Sequence, residues 1–337
     1  MIRKFSNVIS AIPSTRALLK TAKPNIVSVF YHTVSSKPLP HLKHLYPVLS
    51  PQLFAQDINF LLKHFTPIDI HDLTYDTNTC KRAKPGLLLS FDDGFREVFT
   101  EVLPILKSKS VPATIFVNPH FVDNKDMLYR CKVSLIIEKV SSLKKLPNIP
   151  NLSLSSQKVS ASDFTNWLKT LNQTDLSQIE KIATYLGVNF SEYLSKHRPY
   201  LSINQLKTMA NEGFTIGAHS LNHPNFASLT VNEQVAQAEK SIQWVSENIP
   251  NQPKLFAFPF SSDGVSAEFF KHFIQYPSKE CDMIFGTSGY KPTSSPKFMH
   301  RIPMEESNRT AQQIIKGELL YYLIKKMANR HKDNTVI

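Results

Sequence analysis

Residues 86–94 read Gly-Leu-Leu-Leu-Ser-Phe-Asp-Asp-Gly, a short apolar run ending in two adjacent carboxylates and a glycine. The run is too short for an independent helix and is apolar throughout, as expected for a strand buried on both faces of a parallel sheet. Gly94 suits a tight turn. In α/β sheets ligands gather at the carboxyl ends of strands, where Asp92 and Asp93 stand. Neighbouring residues on an extended chain point to opposite sides. One carboxylate can therefore bind a metal while the other faces water or substrate. Taken alone, the segment also reads as an Asp-Asp-Gly turn with an aspartate capping the next helix.

Working outward, the same rhythm recurs. NIVSVFYHTV (25–34) reads as a strand, and Ser50-Pro51 opens a helix carrying Leu53, Phe54, Ile58, Leu61 and Leu62 on one face. After Gly94 a helix is expected through Val98, Val102 and Leu106, then a strand at ATIFVNP (113–119). Further on come a helix over 202–212, the strand GFTIGAHS (213–220) and a helix over 232–249. The strands KLFAFPF, MIFGTSG and FMHRIPM follow, then a helix over 310–327 with a basic end. Strand alternating with amphipathic helix predicts an α/β fold with parallel strands. Residues 123–200 break the rhythm with helical pieces and a Ser-, Asn- and Pro-rich stretch. They read as a mostly helical insertion that shapes a cleft, or as a packing embellishment. The expected organisation is a basic amphipathic N-terminal helix (1–24), an α/β domain (25–305) and a C-terminal helix and tail (306–337).

The second chemical segment is Gly217-Ala218-His219-Ser220-Leu221-Asn222-His223-Pro224, again directly after an apolar strand. Two histidines four apart can reach one metal from a turn or tight loop, and neutral imidazole is a common metal ligand. Asp93, His219 and His223 together offer three protein ligands and leave coordination positions open, the composition of a catalytic rather than a structural site. Asp92 is then a spare carboxylate that can act as base. This chemistry suits hydrolysis of an amide or ester.

The pairing of SFDDG with GAHSLNH resembles the first two motifs of the polysaccharide deacetylase family, the NodB-homology group or carbohydrate esterase family four. The stretch LSINQLKTMANEGFTIGAHSLNHPNFASLT (201–230) resembles the surroundings of the second motif, FAFPF the third motif, and the YHTV strand an early strand of one branch. The likeness spans about residues 25–305. It implies a distorted, incomplete (β/α) barrel, Asp92 as catalytic base, and Asp93, His219 and His223 as ligands of a divalent metal, usually zinc, sometimes cobalt or nickel. The implied reaction removes acetyl groups from an N-acetylated sugar, with the backbone N–H of Phe260 helping to stabilise the oxyanion.

Two departures stand out. The third motif often carries an arginine that orients the base, and here that position holds Ala257; the usual glycine after the aromatic is Ser261. His300 or Arg301, in FMHRIPM, is the expected replacement beside Asp92, with His300 as candidate general acid. His32 follows a strand and reads either as lying near the site or, the preferred expectation, as structural; His41, His44 and His272 are expected at the surface. Competing readings are an O-acetyl esterase or other amide hydrolase on the same scaffold, and a non-catalytic carbohydrate binder.

The 337 residues carry a net charge of +12. Such a surface attracts polyanions generally, but no nucleic-acid motif is present and no nucleic-acid partner is expected. Three scattered cysteines without a CxxC pattern predict neither a thiolate zinc site nor a disulfide framework. The N-terminus lacks the apolar run of a signal peptide. Ile2, Phe5, Val8, Ile9 and Ile12 fall at helical spacing, so residues 1–24 could lie in a membrane interface or pack on the core. The expectation is a cytoplasmic protein, peripheral at the inner membrane face, acting on an acetylated polysaccharide or a lipid-linked glycan precursor.

Overall fold

The computed structural model describes residues 13–74, 83–145, 147, 160–275 and 280–330. Residues 1–12 of the expected N-terminal amphipathic helix lie outside them; the described part holds α1 (Thr15–Ala22), capped by Ser14. Among the described residues no helix is long and apolar enough to cross a membrane.

The centre is one parallel sheet. Its strands are β1 (Ile26–Tyr31), β2 (Thr66–Pro67), β3 (Gly86–Phe91), β4 (Thr114–Val117), β5 (Thr215–Ala218), β6 (Leu255–Ala257), β7 (Met283–Gly286), β8 (Phe298–His300) and β9 (Ile302–Pro303). Their order is β8-β7-β6-β5-β4-β3-β1-β9, with β2 branching off β3. The stretch expected as a single strand, FMHRIPM, is divided. Phe298–His300 pairs with β7, and Ile302 and Pro303 pair with β1 at the opposite edge. One short segment thus joins the two edges, and the sheet comes round as a distorted (β/α) barrel.

Side-chain alternation divides the apolar residues. Leu88, Phe116, Leu255, Ala257, Met283 and Phe285 form an inner cluster. Leu87, Leu89, Phe91, Ile115, Ile216 and Phe256 face the surrounding helices in the main core. Those helices include α2 (Pro51–His64), whose first turn is closed by Ser50 Oγ accepting from Leu53 N at 3.3 Å. The helix expected after Gly94 is broken in two. A π-helical turn (Val98–Val102) precedes α3 (Leu103–Ser108). Pro104 has no N–H to give the preceding turn, which accounts for the shift of hydrogen-bond register.

Of the helices between β4 and β5, those of the insertion are α4 (Tyr129–Ser142), α5 (Ala161–Leu168), α6 (Leu176–Tyr185) and α7 (Phe190–His197). They enclose a cluster of their own around Ile136, Phe164, Ile179 and Tyr200. His41, expected at the surface, is instead buried here, with its Nδ1 2.9 Å from the Tyr193 hydroxyl. His44 and His272 pair with Glu138 and Glu239. Further helices of the frame are α8 (Ile203–Asn211), α9 (Val231–Asn248) and α10 (Ala267–Ile274). The last, α11 (Ala311–Met327), opens on a Thr310–Gln313 capping box and packs on α1 and α2.

Candidate active site

The site is built from loops at the carboxyl ends of the strands, and their backbone is unusual. Asp93 (φ 68°), Ser220 (φ 64°), His223 (φ 60°) and Phe260 (φ 57°) all adopt the left-handed region although none is glycine. Such conformations cost energy and concentrate where function over-determines them. The second loop is pinned by Asn118, at the end of β4, whose amide donates to the carbonyls of His219 and Ser220. Ser220 Oγ accepts from the His223 N–H at 3.1 Å.

These constraints bring Asp93, His219 and His223 together. Asp93 Oδ1 lies 3.5 Å from His219 Nε2 and 3.2 Å from His223 Nε2. His219 Nδ1 donates to the Ala257 carbonyl at 2.9 Å, which turns Nε2 toward the centre. All three residues are buried. Tetrahedral ligands each about 2.1 Å from a zinc-sized ion stand about 3.4 Å apart, so these separations suit such an ion. Asp93 Oδ1 is buried without a hydrogen-bond partner, an unmet acceptor of the kind a cation satisfies. Burial pushes the His219 imidazole down to about 4, although Asp92 opposes this; it is neutral near pH 7 and able to donate a lone pair. Burial would raise the Asp93 carboxyl, but His223 above all outweighs it and holds the group ionised.

Asp92 faces the same centre, with Oδ2 3.9 Å from His219 Nε2. Arg301 grips it with both arms: Nη1 donates to Oδ1 at 2.6 Å and Nη2 to Oδ2 at 2.8 Å. A third bond runs from Nη1 to Ser90 Oγ at 3.0 Å. The guanidinium is fully buried among the rings of Phe30, Phe116 and Phe285. Burial raises the Asp92 carboxyl, but the charges of Arg301 and His219 and the Arg301 hydrogen bonds together outweigh it, leaving it below its ordinary value. Ala257, the small residue at the expected arginine position, is itself part of the inner cluster.

His300 was expected beside Asp92 as the alternative to Arg301. It follows Phe298 on the helix-facing side of β8, its ring 4.7 Å from that of Phe298. Its Nδ1 accepts from the Ser288 N–H at 3.3 Å. Arg301, one residue on, points inward.

His32, which follows β1, is held by Glu305. Its backbone N–H and that of Thr33 donate to Glu305 Oε1 at 2.8 and 3.1 Å, and its Nδ1 is hydrogen-bonded to Oε2 of the same carboxylate. Burial works to lower the imidazole, but Glu305, with help from Asp93 and Asp92, lifts it to about 9. The signal for His32 was its place at the end of a strand, the same signal that marked Asp92. Nothing in the sequence marked Glu305 or Asn118. Phe260 lies edge-on to His223 with ring centroids 4.6 Å apart, and the Arg130 guanidinium of α4 lies over the Phe260 ring at 4.9 Å. The helical insertion therefore reaches the site.

The family model for polysaccharide deacetylases matches residues 80–147 and 157–272, more than half of the chain. The chain belongs to the polysaccharide deacetylase family. The match takes in Asp92, Asp93, His219, His223 and Phe260, but neither His32 nor Arg301. Among solved structures, the Streptococcus pyogenes deacetylase PplD in complex with acetate superposes with a TM-score of 0.52 at 14% identity, over 87% of this chain and 97% of that one. IcaB from Ammonifex degensii gives 0.52 at 14% identity, over 88% and 97%. The putative polysaccharide deacetylase BA0330 from Bacillus anthracis gives 0.50 at 14% identity, over 87% and 68%. At such identities these structures speak for the fold. Among curated proteins none matches the chain.

Proposed function

We propose that this protein is a metal-dependent hydrolase that removes acetyl groups from an N-acetylated sugar in a polysaccharide or glycan precursor. The observation that carries this reading is the convergence of Asp93, His219 and His223 beside an Asp92 held by Arg301. Asp93 Oδ1, His219 Nε2 and His223 Nε2 would hold the divalent ion, zinc suiting this donor set, and such an ion supplies Lewis-acid polarisation and an acidified water.

The chain's own groups account for the remainder. Asp92, ionised by its pairing with Arg301, accepts the proton of the attacking water as general base. The bidentate grip leaves each carboxylate oxygen a further lone pair and fixes its direction. The Phe260 backbone, beside His223, offers an N–H to the oxygen that gains charge. His32, protonated near neutral pH and anchored by Glu305, hands its proton to the leaving nitrogen. It suits this step better than His300, which faces Phe298 and Ser288.

The test is acetate release from matched N-acetylated and O-acetylated oligosaccharides, using chelated protein before and after adding back zinc, cobalt or nickel. Release from the N-acetylated substrate only after metal is restored is expected. Asp92→Asn should bind metal normally and lose about 10²- to 10⁴-fold in turnover, the usual worth of a general base. Acetate release by metal-free protein, or undiminished turnover in Asp92→Asn, would overturn the reading; release only from the ester would move it to an O-acetyl esterase.

A further inference from the structure

Tyr46 lies in the loop between β1 and α2, and its ring is stacked on that of His32, with centroids 4.3 Å apart and planes 19° from parallel. The ring also packs against the cluster of the helical insertion. Its hydroxyl is buried, and among the described residues it has no hydrogen-bond partner. Burial pushes the phenol up, and of the charges around it Asp93 contributes most, then Glu305. His32, on which the ring stacks, follows Tyr31, and Tyr31 stands opposite Phe91 at the end of β3, so Tyr46 belongs to the same end of the barrel as Asp92 and Asp93.

A phenylalanine would make the same stack on His32. The oxygen of Tyr46 adds nothing to the folded chain that its ring does not already provide, and it carries the cost of a buried donor without an acceptor. A buried donor of this kind at the carboxyl ends of the strands is satisfied by what the site binds. A site that presents such a donor gains selectivity, because a ligand lacking the acceptor leaves it unpaired.

We propose that the Tyr46 hydroxyl is a hydrogen-bond donor to the substrate, gripping an acceptor oxygen of the acetylated sugar beside Asp93, His219 and His223. This assignment rests on the deacetylase reading given above. It makes Tyr46 a substrate-contacting residue contributed by a loop outside the segments that the family model matches.

Tyr46→Phe separates the hydroxyl from the ring. In metal-loaded protein the thermal midpoint should stay level or rise, since an unpaired buried donor is removed. On N-acetylated oligosaccharide kcat/KM should fall roughly tenfold, about the worth of one neutral hydrogen bond. The loss appears in KM if the gripped oxygen belongs to the resting sugar, and in kcat if it gains charge during reaction. A lowered midpoint would overturn the proposal, because the hydroxyl would then be serving the fold. Unchanged kcat/KM would overturn it equally. If the wild type releases no acetate from any substrate, the deacetylase reading falls. Binding of an N-acetylglucosamine oligomer then decides separately for Tyr46: weaker binding by Tyr46→Phe supports it, and equal binding sinks it.

Discussion

Arg301 brings a full positive charge into the middle of the barrel, where no solvent reaches it. Burying an ion is costly, and the arrangement persists because the partner carboxylate, Ser90 and three aromatic faces share the charge. Removing one member leaves the other uncompensated. Arg301→Leu should therefore lower stability by about 3–5 kcal/mol in urea unfolding. Asp92→Asn combined with Arg301→Leu should recover much of that loss. Additive losses in the double variant would show that the two residues do not act as a pair. This partnership was half legible in the sequence. Ala257 announced that the usual partner of Asp92 was missing, and two neighbouring residues were the candidates. Deciding between them required the direction of each side chain along the last strand segment, which depends on where β8 ends and β9 begins.

His32 gives the residue scale its pH dependence. Its folded value of about 9 lies above the ordinary imidazole value. The proton is therefore held through neutral pH and lost as pH rises through the folded value; a divalent ion bound nearby draws that value down. Glu305→Gln removes the largest charge that raises it. The alkaline limb of kcat/KM should then move to lower pH, read from a pH–rate profile of the metal-loaded enzyme. A limb that stays in place would remove His32 from the proton-donor role.

At the scale of elements, the site depends on how closely β5 approaches its neighbours. A methyl group on Gly217 would meet the Phe116 ring at 2.6 Å and Leu255 at 3.2 Å. Gly217→Ala should cost about 1–3 kcal/mol through overpacking. Because His219 is two residues further on, metal affinity should weaken as well, which metal titration of the folded variant can measure. Intact affinity would mean that the His219 loop is fixed by Asn118 alone. The regular elements were the most legible part of the chain. Ser50 with Pro51 and the Thr310–Gln313 capping box mark helix starts by known side-chain chemistry. The left-handed conformations of Asp93, Ser220, His223 and Phe260 were not legible, because no residue type at those positions requires them.

For the whole molecule, alternating strand and helix were enough to predict an α/β fold with parallel strands, the barrel being implied by the family resemblance. Barrel closure was not, because FMHRIPM reads as one strand and its two halves serve opposite edges of the sheet. A parallel barrel joined in this way has a consequence for its own synthesis. β1 is made early, yet one of its edges gains a partner only when residues 302 and 303 have emerged. Asp92 likewise waits 209 residues for the guanidinium that neutralises it. Until then a ribosome-bound chain displays an unpaired strand edge and an unmatched acid, the features that make a partly made protein adhesive and slow to consolidate. Competence for chemistry and closure of the barrel arrive together, on the same short stretch of chain.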